Sequence, residues 1–368
     1  MIGGGIHGAT AALFLARGGM RVALFERGGL CREASGVNAG TLTMQMTRVA
    51  LIPYALQGHA MWASAREWLG HDVGTVVTDG LSLAFTEREA ALLDERAARR
   101  RDAGAPIRIV TAAEARAIEP GLSDRPILAA HCPVDGFTAS YLTGKAYRAA
   151  LLDAGVALYE HTPVLAVEPG ATYGVRTAGG TRYAQRVVFA GGVWIEPMLA
   201  WLGVHLPIKV LVNQLAVTER TPPVMRTVVG IASGLLSLKQ YPNGTTVIGG
   251  GWQGCGDRAR GGEALLPERL VGNIRLACHA IPALAGARLA RAWAGLEAET
   301  ADAMPAVGPV PGFEGAYVVG SVHSGYTSGL YIARLLAAHI LGREPPLPLF
   351  PIDRLVGTPP ASKDPTHG

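Results

Sequence analysis

The feature that most constrains this chain is a glycine pattern at its start, Gly3-x-Gly5-x-x-Gly8, followed at once by an Ala- and Leu-rich helix. Glycines at this spacing let the loop turn tightly and let backbone amides approach a pyrophosphate. They also let the helix pack closely on the strand. A buried strand follows and ends in Glu26, 18 residues after Gly8. The pattern predicts a dinucleotide-binding unit in which Glu26 accepts the ribose hydroxyls. A merely tight glycine turn is the alternative.

The strand before this loop is short. Only Met1 and Ile2 precede Gly3, whereas a typical strand has about five or six residues. We therefore expect the native protein to begin upstream of Met1.

The composition is that of a folded protein with a large core. Of the 368 residues, 49% are hydrophobic and 17% are charged, which excludes a disordered chain. The length is too great for one ordinary core and predicts two domains. The net charge of +4 is scattered, and the run Arg99-Arg100-Arg101 is typical of a solvated helix face. We therefore expect no nucleic-acid partner. No apolar run reaches the roughly 18 residues of a membrane span.

The cysteines and histidines predict neither disulfides nor a metal centre. Cys31, Cys132, Cys255 and Cys278 are far apart, and no CxxC pattern or paired histidine spacing occurs. Dispersed thiols favour a reducing compartment, so we expect a cytoplasmic protein. We expect no bound metal, because the ten histidines are equally dispersed.

A second small polar loop indicates which dinucleotide is bound. The glycine pattern and Glu26 suit both FAD and NAD, but residues 33–41 (EASGVNAGT) are small and polar and follow the ribose acid closely. Such a loop suits the close passage of a ribityl chain and a flavin ring, and so favours FAD. An ordinary Ser/Gly/Asn turn is one alternative, and a nicotinamide-only dehydrogenase is a distant one.

Six stretches extend the pattern along nearly the whole chain. They are IGGGIHG at 2–8, SGVNAG at 35–40, EHTPV at 160–164, FAGGVW at 189–194, WAGL at 293–296 and the loop at 320–329. In this order they resemble the glycine oxidase, sarcosine oxidase and D-amino-acid oxidase (DAO) family of FAD enzymes. The ordered set is far more specific than any one member.

The resemblance implies a cofactor role for residues in most of these stretches. They are Gly3, Gly5 and Gly8 in the loop; Ile6, His7, Glu26, Arg27 and Val164 on the adenosine side; Ala34, Ser35, Ala39, Gly40 and Thr41 along the flavin; Gly191 in a turn that closes over it; and Ser324, Gly325, Tyr326, Thr327 and Ser328 in the terminal loop. The cofactor role of the terminal loop also has a physical reason. Amides at the start of a helix stabilise the negative charge of reduced flavin.

The order of predicted elements is that of an interleaved α/β protein. We predict a Rossmann-like FAD-binding domain interleaved with an antiparallel-sheet (α+β) substrate domain. The FAD-binding domain is expected to be discontinuous, at 1–70, 135–205 and 300–350. The substrate domain is expected at 71–134 and 206–299, and a surface tail at 351–368.

The chain departs from the family where a substrate carboxylate is expected to bind. The resemblance implies an arginine after WAGL, but Glu297 occupies that position. Ser237 stands where a tyrosine is usual, and His323 where a further arginine is usual. An anion in place of a bidentate cation reverses the local charge, which disfavours simple glycine or D-alanine oxidation. Either the carboxylate binds elsewhere, or the substrate presents a cation to Glu297; a surface-exposed Glu297 is the plain alternative.

Four side chains are candidates for contact with the substrate, namely His323, Tyr326, Glu297 and Trp252. His323 and Tyr326 flank the expected flavin loop, and Trp252 follows three glycines where a pocket wall is expected. Ordinary packing is the alternative for each of these three. Lys209 is a weaker candidate for promoting reaction with oxygen, because a solvated lysine is the commoner case.

The implied chemistry is oxidation of a C–N bond of an amine or amino acid, with hydride transfer to flavin N5 and hydrolysis of the imine product. Three roles stay open. The altered clamp favours the flavin subunit of a multi-subunit dehydrogenase, as in relatives that act on sarcosine, proline, hydroxyproline or opines. A self-contained oxidase that produces hydrogen peroxide is the second, and a non-catalytic flavin-binding subunit is the third. With these roles we expect the chain to associate either with partner subunits or with copies of itself as a homo-oligomer.

Overall fold

Two large β-sheets organise the chain in the computed structural model, which describes residues 1–322 and 325–356. The helices are α1 (Ile6–Arg17), α2 (Ala34–Val37), α3 (Ile52–Ala63), α4 (Ala65–Leu69), α5 (Glu87–Asp102), α6 (Ala112–Ile118), α7 (Ser140–Asp153), α8 (Ile195–Ala200), α9 (Pro267–Ala280) and α10 (Gly329–Ile340). Short 3₁₀ turns lie at Val49–Leu51, Gly192–Trp194, Pro282–Gly286 and Ile352–Arg354.

The strands alternate with these helices along the chain. They are β1 (Ala23–Phe25), β2 (Thr41–Leu42), β3 (Val76–Ala84), β4 (Arg108–Thr111), β5 (Leu128–Phe137), β6 (Ala157–Tyr159), β7 (Val164–Glu168), β8 (Tyr173–Thr177), β9 (Gly180–Ala184), β10 (Val187–Phe189), β11 (Lys209–Thr218), β12 (Val228–Ile231), β13 (Ser237–Gln240), β14 (Thr246–Gly249), β15 (Cys255–Asp257), β16 (Gly261–Ala264), β17 (Leu289–Glu299), β18 (Ala306–Val310) and β19 (Phe313–Gly320).

The first sheet is mainly parallel and contains the start of the chain. Strands β1 and β6 pair in parallel, as do β10 and β19, and β18 adds an antiparallel edge. Ile2 joins the two halves through parallel bridges to Phe25 and Phe189. Helices α1, α7 and α10 contribute to one apolar core cluster, and β8 packs with Ile2, Phe25 and Phe189 in another. Both faces are thus covered, as parallel sheets require.

The second sheet is larger and runs in the order β17-β11-β14-β13-β12-β3-β5-β2, with β4 paired to β5. Its pairs are antiparallel except β12 and β3, which are parallel. The predicted combination of a Rossmann-like sheet with a second, largely antiparallel sheet is confirmed, and the parallel pair is the departure from it. The residue boundaries of the two domains stay a prediction.

The segment after residue 350 is fastened to the first sheet as far as residue 356. Phe350 exchanges backbone hydrogen bonds with Val307, and Ile352 is fully buried in a core cluster. The guanidinium of Arg354 pairs with Asp302 at 2.8 Å. Residues 357–368 lie outside the described part of the chain. Among the helices of the described ranges, none has the length and apolarity needed to cross a membrane.

A substitution at Gly8 tests the packing of the glycine loop. A β-carbon on Gly8 would lie 2.0 Å from the carbonyl oxygen of Gly3 and 3.0 Å from the β-carbon of Ala190. Overpacking of this kind costs about 1–3 kcal/mol, so Gly8→Ala should lower the melting temperature of the purified chain by several degrees.

Gly28→Ala is the matched control. A β-carbon on Gly28 would meet nothing closer than Glu26 Oε1, at 3.7 Å. Its melting temperature should stay within about 1 °C of the parent chain. Equal melting temperatures for the two variants would contradict the packing described for the loop.

Candidate active site

A cavity of about 600 Å³ is lined by residues of both sheets, a volume typical of small-molecule and cofactor sites. The residues predicted to bind the cofactor that line it are Gly3, Gly5, Ile6, His7, Glu26, Arg27, Ala34, Ser35, Ala39, Thr41, Val164, Gly191, Gly325, Tyr326 and Thr327. Gly8, Gly40 and Ser328 do not line it, and Ser324 lies outside the described residues. The cavity therefore brings together segments from both ends of the chain.

The glycine loop presents amides and a carboxylate to this cavity. Helix α1 begins at Ile6, after Gly5, and its first turn carries no acidic side chain. The amide of Ile6 donates to Ser35 Oγ at 3.0 Å. Glu26 follows β1 and accepts hydrogen bonds from the amides of Gly4 (2.7 Å) and Gly28 (2.8 Å). A helix start beside a fixed carboxylate fits the pyrophosphate and ribose of a dinucleotide.

Arg27 and Trp194 form a flat wall of the cavity. The guanidinium carbon of Arg27 lies 3.6 Å from the centroid of the Trp194 ring, close enough for a cation–π contact. Glu33 holds the same guanidinium at 2.6 Å. Because Val164 lines the same cavity, this wall suits the adenosine side that the resemblance implies for Arg27 and Val164.

The loop at 33–41 is shaped by hydrogen bonds within itself. The side-chain oxygen of Asn38 accepts from the amide of Gly40 at 2.7 Å, and its nitrogen donates to the carbonyls of Ala34 and Ser35. Gly40 has φ +69°, and a β-carbon there would lie 2.2 Å from the carbonyl oxygen of Thr138. Gly40 thus supports the site through backbone geometry while its neighbours Ala39 and Thr41 line the cavity.

Tyr326 and Thr327 belong to the wall built by the last part of the chain. Tyr326 stacks on Trp62, with ring centroids 4.7 Å apart, and the indole N–H donates to the Tyr326 carbonyl at 2.8 Å. Its phenol oxygen accepts from Thr138 at 3.0 Å, and burial raises its pKa, so the phenol stays protonated. Thr327 Oγ1 accepts from the amide of Thr43 at 3.1 Å. This wall is neutral and held rigidly.

His7 lines the cavity, and its ring nitrogen Nε2 is buried against the start of helix α10. Its Nε2 is buried and has no hydrogen-bond partner in the described part of the chain. Burial lowers the pKa of His7 to about 4, so the ring is neutral at physiological pH. Gly329, at the start of α10, makes room for this ring, since a β-carbon there would lie 2.6 Å from Nε2.

A buried lysine, Lys239, lies behind the cavity and was missed in the sequence. Its side chain in β13 is fully buried and donates to the hydroxyls of Thr41 and Ser237, both of which line the cavity. Burial lowers the pKa of Lys239 to about 7. The sequence did contain a signal for this position. Side chains alternate between the two faces of a strand, which puts residue 239 on the same face as Ser237.

Glu297 lines the cavity from β17 and is half-buried, so it is not a fully exposed surface residue. The side-chain amide of Asn213 donates to its carboxylate at 2.6 Å. Gln253 in turn donates to Asn213 Oδ1 at 2.5 Å. The carboxylate is therefore held in place by a chain of amides and contributes negative charge to this side of the cavity.

Trp252 lies away from the cavity. Its ring packs against α9, where a β-carbon on Gly272 would lie 2.8 Å from it, and its N–H donates to the Leu235 carbonyl at 2.8 Å. This placement matches the packing alternative considered for it. Lys209 is exposed and pairs with Glu299 at 3.1 Å, which matches a solvated lysine.

The remaining candidate, His323, lies outside the described residues. Across residues 1–322 and 325–356, no group of three or more His, Cys, Asp or Glu side chains is arranged to hold a metal ion.

Comparison with known proteins extends over nearly the whole chain. Residues 1–339 match the sequence model of a family abbreviated DAO and described as FAD dependent oxidoreductase. Glycine oxidase of Geobacillus kaustophilus is 30% identical over 358 residues, which are 94% of this chain and 92% of that protein. One subunit of the opine oxidase of Rhizobium meliloti is 26% identical over 356 residues, with 92% of each protein covered. The crystal structure of the G. kaustophilus glycine oxidase matches with a TM-score of 0.86 at 28% identity, covering 96% of both chains.

The lowered pKa of Lys239 predicts a pH-dependent stability. An unfolded lysine titrates at its ordinary value of 10.5, so between about 7 and 10.5 the unfolded chain binds more protons than the folded one. Burial of Lys239 therefore lowers the free energy of unfolding, by its full amount below pH 7 and by less and less as the pH rises toward 10.5. Lys239→Met should melt several degrees above the parent chain near pH 7, and this gap should narrow toward about pH 9.5.

The measurement is thermal melting of both chains with excess FAD across that pH range. Lys209→Met is the control, because Lys209 is exposed and pairs with Glu299 at the surface. Its melting difference from the parent should be small and flat. A flat difference for Lys239→Met as well would show that Lys239 stays charged in the folded protein.

Proposed function

This chain belongs to the DAO family of FAD-dependent oxidoreductases, and from that premise we propose that it oxidises a C–N bond of an amine or amino acid. The observation that carries the proposal is the shared cavity. The glycine loops of the first sheet line one side, and Ser237 and Glu297 of the second sheet line the other. A substrate held by the second sheet therefore faces the cofactor within the same cavity.

The residues present fit the cofactor of the family. Helix α1 offers the amides of its first turn to the pyrophosphate, and Glu26 offers a carboxylate to the ribose. When bound, FAD supplies a hydride acceptor at N5 for the carbon that carries the substrate nitrogen. Tyr326 remains protonated and wedged against Trp62, so it walls the cavity without taking up a proton.

Glu297 gives the substrate side its orientation. Its half-buried carboxylate is held by Asn213 and can accept hydrogen bonds from a substrate nitrogen. Charge-assisted hydrogen bonds of this kind contribute about 1.5–3 kcal/mol. A carboxylate at the same place would be repelled, so the substrate nitrogen is directed toward Glu297 and its anionic group away from it.

We place the chain as the flavin subunit of a larger dehydrogenase. Two observations support this role: one relative of nearly equal length is itself named as a subunit, and Glu297 reverses the charge expected of a glycine-type oxidase. A self-contained oxidase is the second candidate, favoured by similarity to glycine oxidase over 94% of the chain. Hydrogen peroxide formed by the isolated chain during amine turnover separates the two roles.

A cytoplasmic location is part of the proposal. All four cysteines are free thiols, and Cys31 and Cys132 are buried. Burial raises the pKa of Cys31 to about 12, so it stays an unreactive thiol. Free thiols of this kind are usual in a reducing compartment.

Anaerobic titration of the FAD-loaded chain tests the proposed reaction. The chain should purify with bound FAD, and at least one compound from a panel of amines, D- and L-amino acids and opines should bleach the flavin absorbance. The panel should include primary and secondary amines, because Glu297 can accept a hydrogen bond from either. A flavin that dithionite bleaches but no amine does would leave only the non-catalytic role.

Glu297→Gln tests the orientation of the substrate nitrogen. The exchange keeps the shape and removes the charge, so KM for the amine should rise about tenfold or more, with a smaller change in kcat. Glu314→Gln is the control, because Glu314 is exposed on β19 and does not line the cavity. A fall in kcat with unchanged KM would assign Glu297 to the chemical step and not to binding.

A further inference from the structure

A second chamber, of about 400 Å³, adjoins the cofactor cavity. The two share Thr43, Met46, Gly234 and Ser237, so they meet at these residues. The chamber is lined on its outer side by polar groups of α5 and β5. Its volume is too large for one carboxylate attached directly to a reacting carbon, and it suits a short chain with a polar end.

Two arginines give the chamber its positive charge. Arg96 and Arg100 are four residues apart on α5, which places them on one face of the helix, and both line the chamber half-buried. Arg96 donates to the Ala232 carbonyl at 2.7 Å, and Arg100 Nε donates to the Thr47 carbonyl at 2.9 Å. Neither forms an ion pair with a carboxylate of the described residues. Each guanidinium carries five N–H donors, so most of them are left for a ligand.

Asp135 is the acid of the chamber, and its charge acts on Arg100, although its hydrogen-bond partners are other groups. Its two oxygens accept from the Thr43 hydroxyl at 2.8 Å and from the Met44 amide at 2.9 Å. Burial raises the pKa of Asp135. Burial and the charge of Arg96 lower the pKa of Arg100 to about 10 while the charge of Asp135 opposes this shift, so Arg100 keeps its charge at physiological pH. Two arginines thus face one acid. The chamber is therefore cationic overall.

We propose that this chamber binds a second, anionic group of the substrate, a carboxylate separated by a short chain from the C–N bond that is oxidised. The inference rests on the proposed function and names its substrate class. The nitrogen lies at Glu297 in the cofactor cavity, the chain passes Ser237 and Thr43, and the carboxylate pairs with Arg96 and Arg100. In this arrangement the substrate anion binds at α5 and not at β17, where the carboxylate of Glu297 would repel it.

The test compares two ligands of equal chain length on the FAD-loaded full chain, 5-aminopentanoate and pentylamine. Both carry the amine, and only the first carries a distal carboxylate. Anaerobic titration at low ionic strength gives the concentration for half-maximal change of the flavin spectrum, whether by perturbation or by bleaching. The parent chain should respond to 5-aminopentanoate at a concentration at least about tenfold lower than for pentylamine.

Arg96→Gln and Arg100→Gln should each remove most of this preference and leave the response to pentylamine unchanged. Arg99→Gln is the matched control on the same helix, because Arg99 is exposed and pairs only loosely with Glu95, at 3.6 Å. The control should keep the full preference. An equal loss in all three variants would show a general charge effect and overturn the assignment of the chamber.

Ser233→Glu covers the case in which an arginine variant does not fold. Ser233 is exposed at the edge of the chamber, so a glutamate there adds an opposing charge without disturbing the core. It should weaken the response to 5-aminopentanoate severalfold and spare pentylamine. The inference is overturned if Ser233→Glu spares both ligands, or if the parent chain shows no preference. Perturbation without bleaching by any amine would instead support the chamber and count against the proposed oxidation.

Discussion

The close approach of backbone to backbone at residues 2–8 is the constraint on which the rest of the structure depends. Ile2 donates to the Val188 carbonyl at 2.9 Å and accepts from the Ala190 amide at 2.8 Å. On the other side the Gly3 amide donates to the Phe25 carbonyl at 2.8 Å, so this short segment joins the two halves of the first sheet. A β-carbon on Gly3 would lie 2.5 Å from the Ala190 carbonyl oxygen. Because these contacts leave no room for side chains, the loop emerges at the carboxyl edge of the sheet with its amides turned to the cavity.

Buried polar groups then fix the second sheet against this edge. Asp135 of β5 holds the backbone of Met44 and the hydroxyl of Thr43, while Lys239 of β13 holds the hydroxyl of Thr41. Thr41 thus accepts a hydrogen bond from β13, and Thr43 and Met44 donate hydrogen bonds to β5. Isolated charges are costly to bury, and the shifted pKa values of Asp135 and Lys239 reflect that cost. The interface between the sheets is therefore polar where the substrate side begins.

The sequence was sufficient for the parts of the fold that are specified locally. The glycine loop, helix α5 and helix α7 follow from spacing, caps and periodicity within a few residues. Strands β3, β5 and β17 escaped notice because they are long and only partly alternating, and their pairing joins segments far apart in the chain. The buried Lys239 and the pair Arg96 and Arg100 escaped for the same reason. A lysine or arginine in sequence looks solvated until distant strands are placed around it.

The distribution of charge across the joined cavities links the site to its substrate. The resemblance implies a cation directly after the WAGL stretch, whereas this chain has Glu297 at that position on the cofactor cavity and has Arg96 and Arg100 on α5. Coulomb energy between unit charges falls with distance, so moving the cation outward lengthens the substrate that gains from both interactions. A compact amino acid reaches only one of the two. A ligand with a nitrogen and a distant carboxylate reaches both by passing the junction at Ser237 and Thr43. Selectivity then comes from the separation of the two charges and not from the strength of either.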